Sequence, residues 1–129
     1  MSHPVGVPED AIVANYIGGQ WLTSSRPGES REPATGDVLG RFYDADVEQV
    51  DEAIRVARDV FTHHEWKDNR ELRATALFEL ATAFEHHRGE LVALLARENG
   101  KIVPEAEFEL SLVAPKLRYY AALALADTG

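Results

Sequence analysis

The chain has 129 residues, 45% hydrophobic and 27% charged, which is about one domain of ordinary globular composition and not a disordered chain. Its formal net charge of −9 argues against nucleic acid or an anionic membrane surface as partner, because a polyanion is bound through clustered Lys and Arg that displace its counterions. With no cysteine in the sequence, disulfides, a thiolate nucleophile and sulfur-ligated zinc are all excluded.

Residues 1–12 carry Pro4, Gly6 and Pro8 and read as a flexible arm; residues 13–129 read as the folded part. In Asn15-Tyr16-Ile17-Gly18-Gly19-Gln20-Trp21, the two glycines supply the positive φ angles of a two-residue hairpin loop between strand-forming residues. In Pro33-Ala34-Thr35-Gly36-Asp37-Val38-Leu39-Gly40, Pro33 presets a second turn, Thr35-Gly36 closes it and Val38-Leu39 leads out as a strand. Between them Thr23 to Ser30, rich in Ser, Gly and Pro, has the composition of a connecting loop.

From Asp46 the apolar period changes from two to about 3.6. Val47, Val50, Ile54, Ala57 and Phe61 fall on one helical face, and Asp46 with Gln49 has the spacing of a capping box. His63 to Trp66 ends this helix. Asp68 or Asn69 caps the next, whose stripe is Leu72, Ala76, Leu80, Ala83 and Phe84. Gly89 marks a kink or short break, after which Leu91, Leu94 and Leu95 resume the stripe until Asn99-Gly100 stops it. A last helix opens at Pro104 and runs through Phe108, Leu112, Leu117, Tyr120 and Ala121 to Leu125, bent at Pro115. The expected fold is helix-rich α/β: N-terminal β-hairpins followed by three to four amphipathic helices. Two small hairpins do not cover that many apolar stripes, so at least one helical face is expected to need a further partner.

No side-chain constellation for catalysis emerges from the residues. The pairs His63-His64 and His86-His87 point about 100° apart on a helix and lack the i,i+4 spacing of a zinc site, so they read as solvated histidines, as does His3 in the arm. Glu105, Glu107 and Glu109 suit the N-terminus of a helix, with Lys101 to Glu105 as a favourable pair. Gly18-Gly19 fits neither the dinucleotide nor the Walker pattern. Arg118-Tyr119-Tyr120 reads as packing in an acidic chain, and Ser24, Ser25, Ser30 and Ser111 have no histidine placed with them in a motif. No run approaches the ~18 apolar residues of a membrane span, and Met1 to Asp10 lacks the apolar core of a signal peptide, so the chain reads as cytoplasmic.

The ordered set of segments nonetheless resembles the opening of the aldehyde dehydrogenase superfamily. It comprises the two turn segments, Val50-Asp51-Glu52-Ala53-Ile54 with Ala57-Arg58 and Phe61, Trp66, and Arg70-Glu71-Leu72-Arg73. Leu80-Ala81, Glu90-Leu91-Val92, Glu98-Asn99-Gly100-Lys101 and Leu117-Arg118-Tyr119-Tyr120-Ala121 follow in order. The resemblance implies the front part of a cofactor domain in an enzyme several times longer, which oxidises an aldehyde to an acid with NAD or NADP. In that family a cysteine thiolate attacks the carbonyl, a hydride passes to NAD(P)+, an asparagine steadies the oxyanion and a glutamate-activated water releases the acyl group.

All of those groups lie downstream of the segments matched here. The resemblance therefore implies an N-terminal fragment that has no catalytic residue, binds no cofactor alone and meets an aldehyde only in a full-length context. It also implies contact with further copies or a complementary chain, and it places Tyr120, Ala121 and Ala124 as substrate-tunnel wall positions. The rival reading is a stand-alone or split-enzyme helical interaction module that binds a partner subunit. The fragment reading expects an aggregation-prone or loosely packed isolated chain; a monomer that unfolds cooperatively and is free of exposed apolar surface is the opposite outcome.

Overall fold

The structure, a computed structural model, describes residues 12–126. They form two compact units divided after His63.

The first unit holds the strands and one helix. β2 (Asn15–Ile17) and β3 (Gln20–Leu22) form the expected antiparallel hairpin, with Gly18 and Gly19 at φ 60° and 83°, as a two-residue loop with positive φ at both positions requires. A second sheet has the order β1-β5-β4, in which β1 (Ile12–Val13) runs parallel to β5 (Val38–Asp44) and β4 (Arg26–Arg31) antiparallel to it. The turn joining β4 to β5 is closed by Gly36 N–H to the Glu32 carbonyl at 2.8 Å and Glu32 N–H to the Asp37 carbonyl at 2.9 Å. The expected arm lies outside the described residues except for Ile12, which opens β1.

The expected loop over Thr23 to Ser30 is corrected by β4. Its composition is that of a connector, but β5 supplies a ladder for it, from Arg26 opposite Asp44 to Arg31 opposite Val38, with a register shift between Ser30 and Arg31. Pro27 is tolerated because β4 is an edge strand. Gly28 is needed because a Cβ there would sit 2.6 Å from the ring of Phe42 directly opposite.

α1 (Val47–His63) begins with half of the expected capping box. The Gln49 N–H donates to Asp46 Oδ1 at 2.9 Å, whereas the Gln49 side chain turns to the first hairpin. Its amide donates to the Thr23 carbonyl at 2.9 Å, and its oxygen accepts from the Asn15 amide at 3.0 Å. Among the described residues of this unit none is fully buried, and Val47, Val50, Ile54 and Phe61 of the expected stripe are 71, 48, 63 and 56% exposed.

The second unit is helical. A 3₁₀ turn (Glu65–Lys67) leads to α2 (Arg70–His86), which Asn69 caps by accepting from the Leu72 N–H at 2.9 Å. α3 (Arg88–Asn99) stops at Gly100 in the left-handed conformation, as expected. The break falls at His87, with φ −95° and ψ 9°, and Gly89 lies inside the first turn of α3. The single bent helix expected after Pro104 is instead two, α4 (Val103–Ser111) and α5 (Val113–Leu125). Pro115 explains the split. It has no N–H for the Ser111 carbonyl and its ring collides there, so α4 ends at Ser111 and Pro115 takes a first-turn position in α5, where the missing donor costs nothing.

α2 packs on α5 and α3 on α4. The buried residues are Ala74 and Ala81 on α2, Ala114 and Ala121 on α5, Ala106 on α4 and Val92 on α3. Each alanine pair of α2 and α5 is seven residues apart, so each lies along one face and lets the backbones approach closely. This corrects the expected stripe of α2: Leu80 is 45% exposed, and the adjacent Ala81 is the buried residue.

At the edge of the seam Arg118 grips Glu85 bidentately, Nη1 to Oε1 at 2.6 Å and Nη2 to Oε2 at 2.5 Å. Hydrogen bonding and then the charge of Arg118 hold the Glu85 carboxyl below its usual range, and Arg118 is raised in turn. A depressed folded-state pKa stabilises the fold above the unfolded carboxylate pKa of about 4.3 and stops doing so as pH falls through the lower folded value.

Two outcomes follow for urea unfolding. Ala81→Leu is expected to destabilise by about 1–3 kcal/mol through overpacking, while Leu80→Ala costs under about 1 kcal/mol; the reverse order would reject the alanine seam. Glu85→Gln is expected to lower the unfolding midpoint at about pH 7, and the gap to the parent to close below about pH 4. A gap that persists in acid would show that the ion pair is not its source.

Candidate functional site

α5 is apolar almost all round, with Lys116 and Arg118 as its charged residues. A helix of that kind is normally enclosed on every side. Here its inner face carries the buried Ala114 and Ala121, while Tyr119, Tyr120 and Leu123 are 61, 56 and 42% exposed. The Tyr119 and Tyr120 rings meet edge to face, 5.5 Å apart at 74°. Of the three positions expected to face a substrate tunnel, Tyr120 presents its ring at the surface and Ala124 is half-buried. Ala121 is fully buried on the face shared with Ala114.

The other candidates are engaged locally. His63 Nδ1 lies 3.0 Å from Asp59 Oδ1, and the His86 and His87 rings stand nearly perpendicular with centroids 4.8 Å apart. Among the described residues no group of three or more His, Cys, Asp or Glu side chains is gathered to hold a metal ion, and His3 lies outside them. Ser24 Oγ donates to the Asp44 carbonyl at 2.5 Å and Ser111 Oγ to the Phe108 carbonyl at 2.6 Å. Lys101 bonds Glu109 at 2.7 Å, not the expected Glu105, because α4 starts after Lys101 and the two are not one helical turn apart.

Gly18-Gly19 does not fit a nucleotide pyrophosphate. The pair leads into a strand, not the N-terminus of a helix, and Gly18 is packed beside Val56, whose Cγ2 would lie 3.5 Å from a Cβ there. Sequence spacing gave no signal for the two contacts that organise the units: Arg118 with Glu85 spans 33 residues and Asn15 with Gln49 spans 34. No described helix is long and apolar enough to cross a membrane.

A statistical model of the aldehyde dehydrogenase family matches residues 21–129. Malonate-semialdehyde dehydrogenase 1 of Geobacillus kaustophilus is 40% identical over 106 residues, which cover 80% of this chain and 21% of that protein. D-glyceraldehyde dehydrogenase (NADP(+)) of Thermoplasma acidophilum is 38% identical over 109 residues, 82% of this chain and 22% of that one. A betaine aldehyde dehydrogenase point mutant from Staphylococcus aureus, solved with NAD+, superposes with a TM-score of 0.85 at 26% identity, over 90% of this chain and 24% of its own. An aldehyde dehydrogenase mutant from Bacillus cereus gives 0.80 at 32% identity, over 87% and 24%. The chain thus spans about a fifth of the length of the curated relatives it matches. It belongs to the aldehyde dehydrogenase family, of which it corresponds to the N-terminal portion.

Proposed function

We propose that the chain is the scaffold-forming front of an NAD(P)-dependent aldehyde dehydrogenase, an enzyme that oxidises an aldehyde to a carboxylic acid. The observation that carries this reading is sequence similarity over 80% of the chain to a relative named as a semialdehyde dehydrogenase. The relatives are named for different aldehydes, malonate semialdehyde and D-glyceraldehyde, so the reading is held at the aldehyde class. Either nicotinamide cofactor suits it, since one relative is named for NADP(+) and one structural neighbour was solved with NAD+.

By itself the chain is proposed to be inactive. Covalent catalysis on an aldehyde in this family uses a thiolate, and these 129 residues contain no cysteine. Tyr120 is proposed to border the approach of the aldehyde with Ala124 beside it, while the buried Ala121 holds their helix against α2. A second reading, an interaction module that binds a partner subunit, is favoured by the exposed apolar residues of α1 and α5.

The purified chain, given malonate semialdehyde or D-glyceraldehyde with NAD+ or NADP+, is expected to produce no reduced nicotinamide above a protein-free control. Turnover that survives purification would reject the inactivity. When the chain is fused to the rest of the Geobacillus enzyme, Tyr120→Ala is expected to raise KM for the aldehyde several-fold, with kcat within about twofold of the parent. An unchanged KM would remove Tyr120 from the substrate path.

A further inference from the structure

The chain has three asparagines, and one of them, Asn99, is followed by glycine. The three are held differently. Asn15 is half-buried and its amide donates to Gln49 Oε1 at 3.0 Å. Asn69 is also half-buried; its oxygen accepts from the Leu72 N–H at 2.9 Å and its amide donates to Glu65 Oε2 at 3.0 Å. Asn99 is exposed at the last position of α3, and its amide makes a long bond to the Leu95 carbonyl at 3.3 Å.

The residue after it is equally open. Gly100 is exposed, stands at φ 67° just past the helix, and has no side chain to crowd its own nitrogen. At the end of α2 the His87 N–H returns to the Ala83 carbonyl at 3.0 Å, whereas the Gly100 N–H makes no bond of that geometry to a described carbonyl. Helix ends fray, so the backbone at Asn99 can leave the helical conformation at little cost and bring its Cγ to that nitrogen.

We propose that Asn99-Gly100 is a self-modification site, at which the folded chain converts Asn99 to aspartate and isoaspartate. The Gly100 nitrogen attacks Asn99 Cγ and gives up its proton. The new C–N bond closes a succinimide as the Cγ–Nδ2 bond breaks, and Nδ2 leaves as ammonia with that proton. Water then opens the ring. Addition at Cγ gives aspartate, and addition at the former Asn99 main-chain carbonyl gives isoaspartate, whose backbone runs through Cβ and Cγ. Nothing is oxidised or reduced, and solvent water is the co-reactant.

Either product disturbs the turn between α3 and α4. A carboxylate replaces the donor to Leu95 at the negative end of the α3 dipole, next to Glu98. Isoaspartate also adds a main-chain carbon two residues before Lys101, whose ammonium bonds Glu109 of α4 at 2.7 Å. The reaction uses no part of the proposed aldehyde path, so it holds or fails independently of the scaffold reading.

The test incubates the full chain in mildly alkaline buffer, which favours loss of the amide proton, and follows ammonia release, peptide mapping and labelling by an isoaspartyl methyltransferase. Conversion at Asn99 is expected to be at least about tenfold faster than at Asn15 or Asn69, and within about tenfold of its rate in the urea-unfolded chain. Asn99→Gln keeps a side-chain amide but needs a larger ring, and is expected to cut the methyltransferase label at least about tenfold with unchanged circular dichroism. Conversion confined to the unfolded chain, or a label that persists in Asn99→Gln, would overturn the proposal. The converted chain, separated by its added negative charge, is expected to unfold at lower urea than the fresh chain; an equal midpoint would reject the disturbance of the turn.

Discussion

The close approach of α2 and α5 is the contact on which the second unit depends, and it is made by alanine. Ala74 and Ala81 on one helix, with Ala114 and Ala121 on the other, are buried at 3, 0, 5 and 0% exposure. A methyl group loses no rotamer freedom on burial, and it lets two helices approach more closely than leucine would. The consequence is displacement. Large side chains cannot enter so narrow a seam, and Leu80, Tyr119 and Leu123 stand outside it. The seam has little chemical identity of its own, so the Arg118–Glu85 fork at its edge supplies a directional contact that sliding the helices would break.

Backbone breaks make that pairing possible. His87 separates α2 from α3, and Pro115 separates α4 from α5 by denying the Ser111 carbonyl its donor. Gly100, left-handed at φ 67°, ends α3 before α4 begins. A stretch that is helical nearly throughout thus becomes four helices, of which α2 pairs with α5 and α3 with α4. The loss of a single backbone donor at Pro115 decides where α5 starts, and therefore which alanines face α2.

The first unit is organised by polar contacts instead. Gln49 joins the start of α1 to the first hairpin, and the cross-strand Glu29–Arg41 pair and the Gly28–Phe42 fit hold β4 to β5. Neither arrangement encloses a large side chain. Tyr16 and Trp21 lean on each other across the hairpin with ring centroids 4.9 Å apart, yet both remain exposed. A domain that stood alone would normally bury its largest apolar groups. Their exposure is consistent with the share of the family that the chain spans, about a fifth of its curated relatives.

The sequence by itself determined the local events. Gly18-Gly19 specified the hairpin, Asn69 the start of α2, and Gly100 the end of α3, because each acts through the backbone of its immediate neighbours. The ordered segments determined the family, and the absence of cysteine determined that the chain brings no thiol nucleophile. What only the tertiary structure decided was pairing. Arg26–Arg31 became a strand because β5 offered it a ladder, and Ala81 was buried in place of Leu80 because of the helix opposite. Likewise, the face of α1 left open follows from where Gln49 finds Asn15. Turn and cap preferences are properties of a few adjacent residues. Burial belongs to two surfaces far apart in sequence, and periodicity describes only one of them.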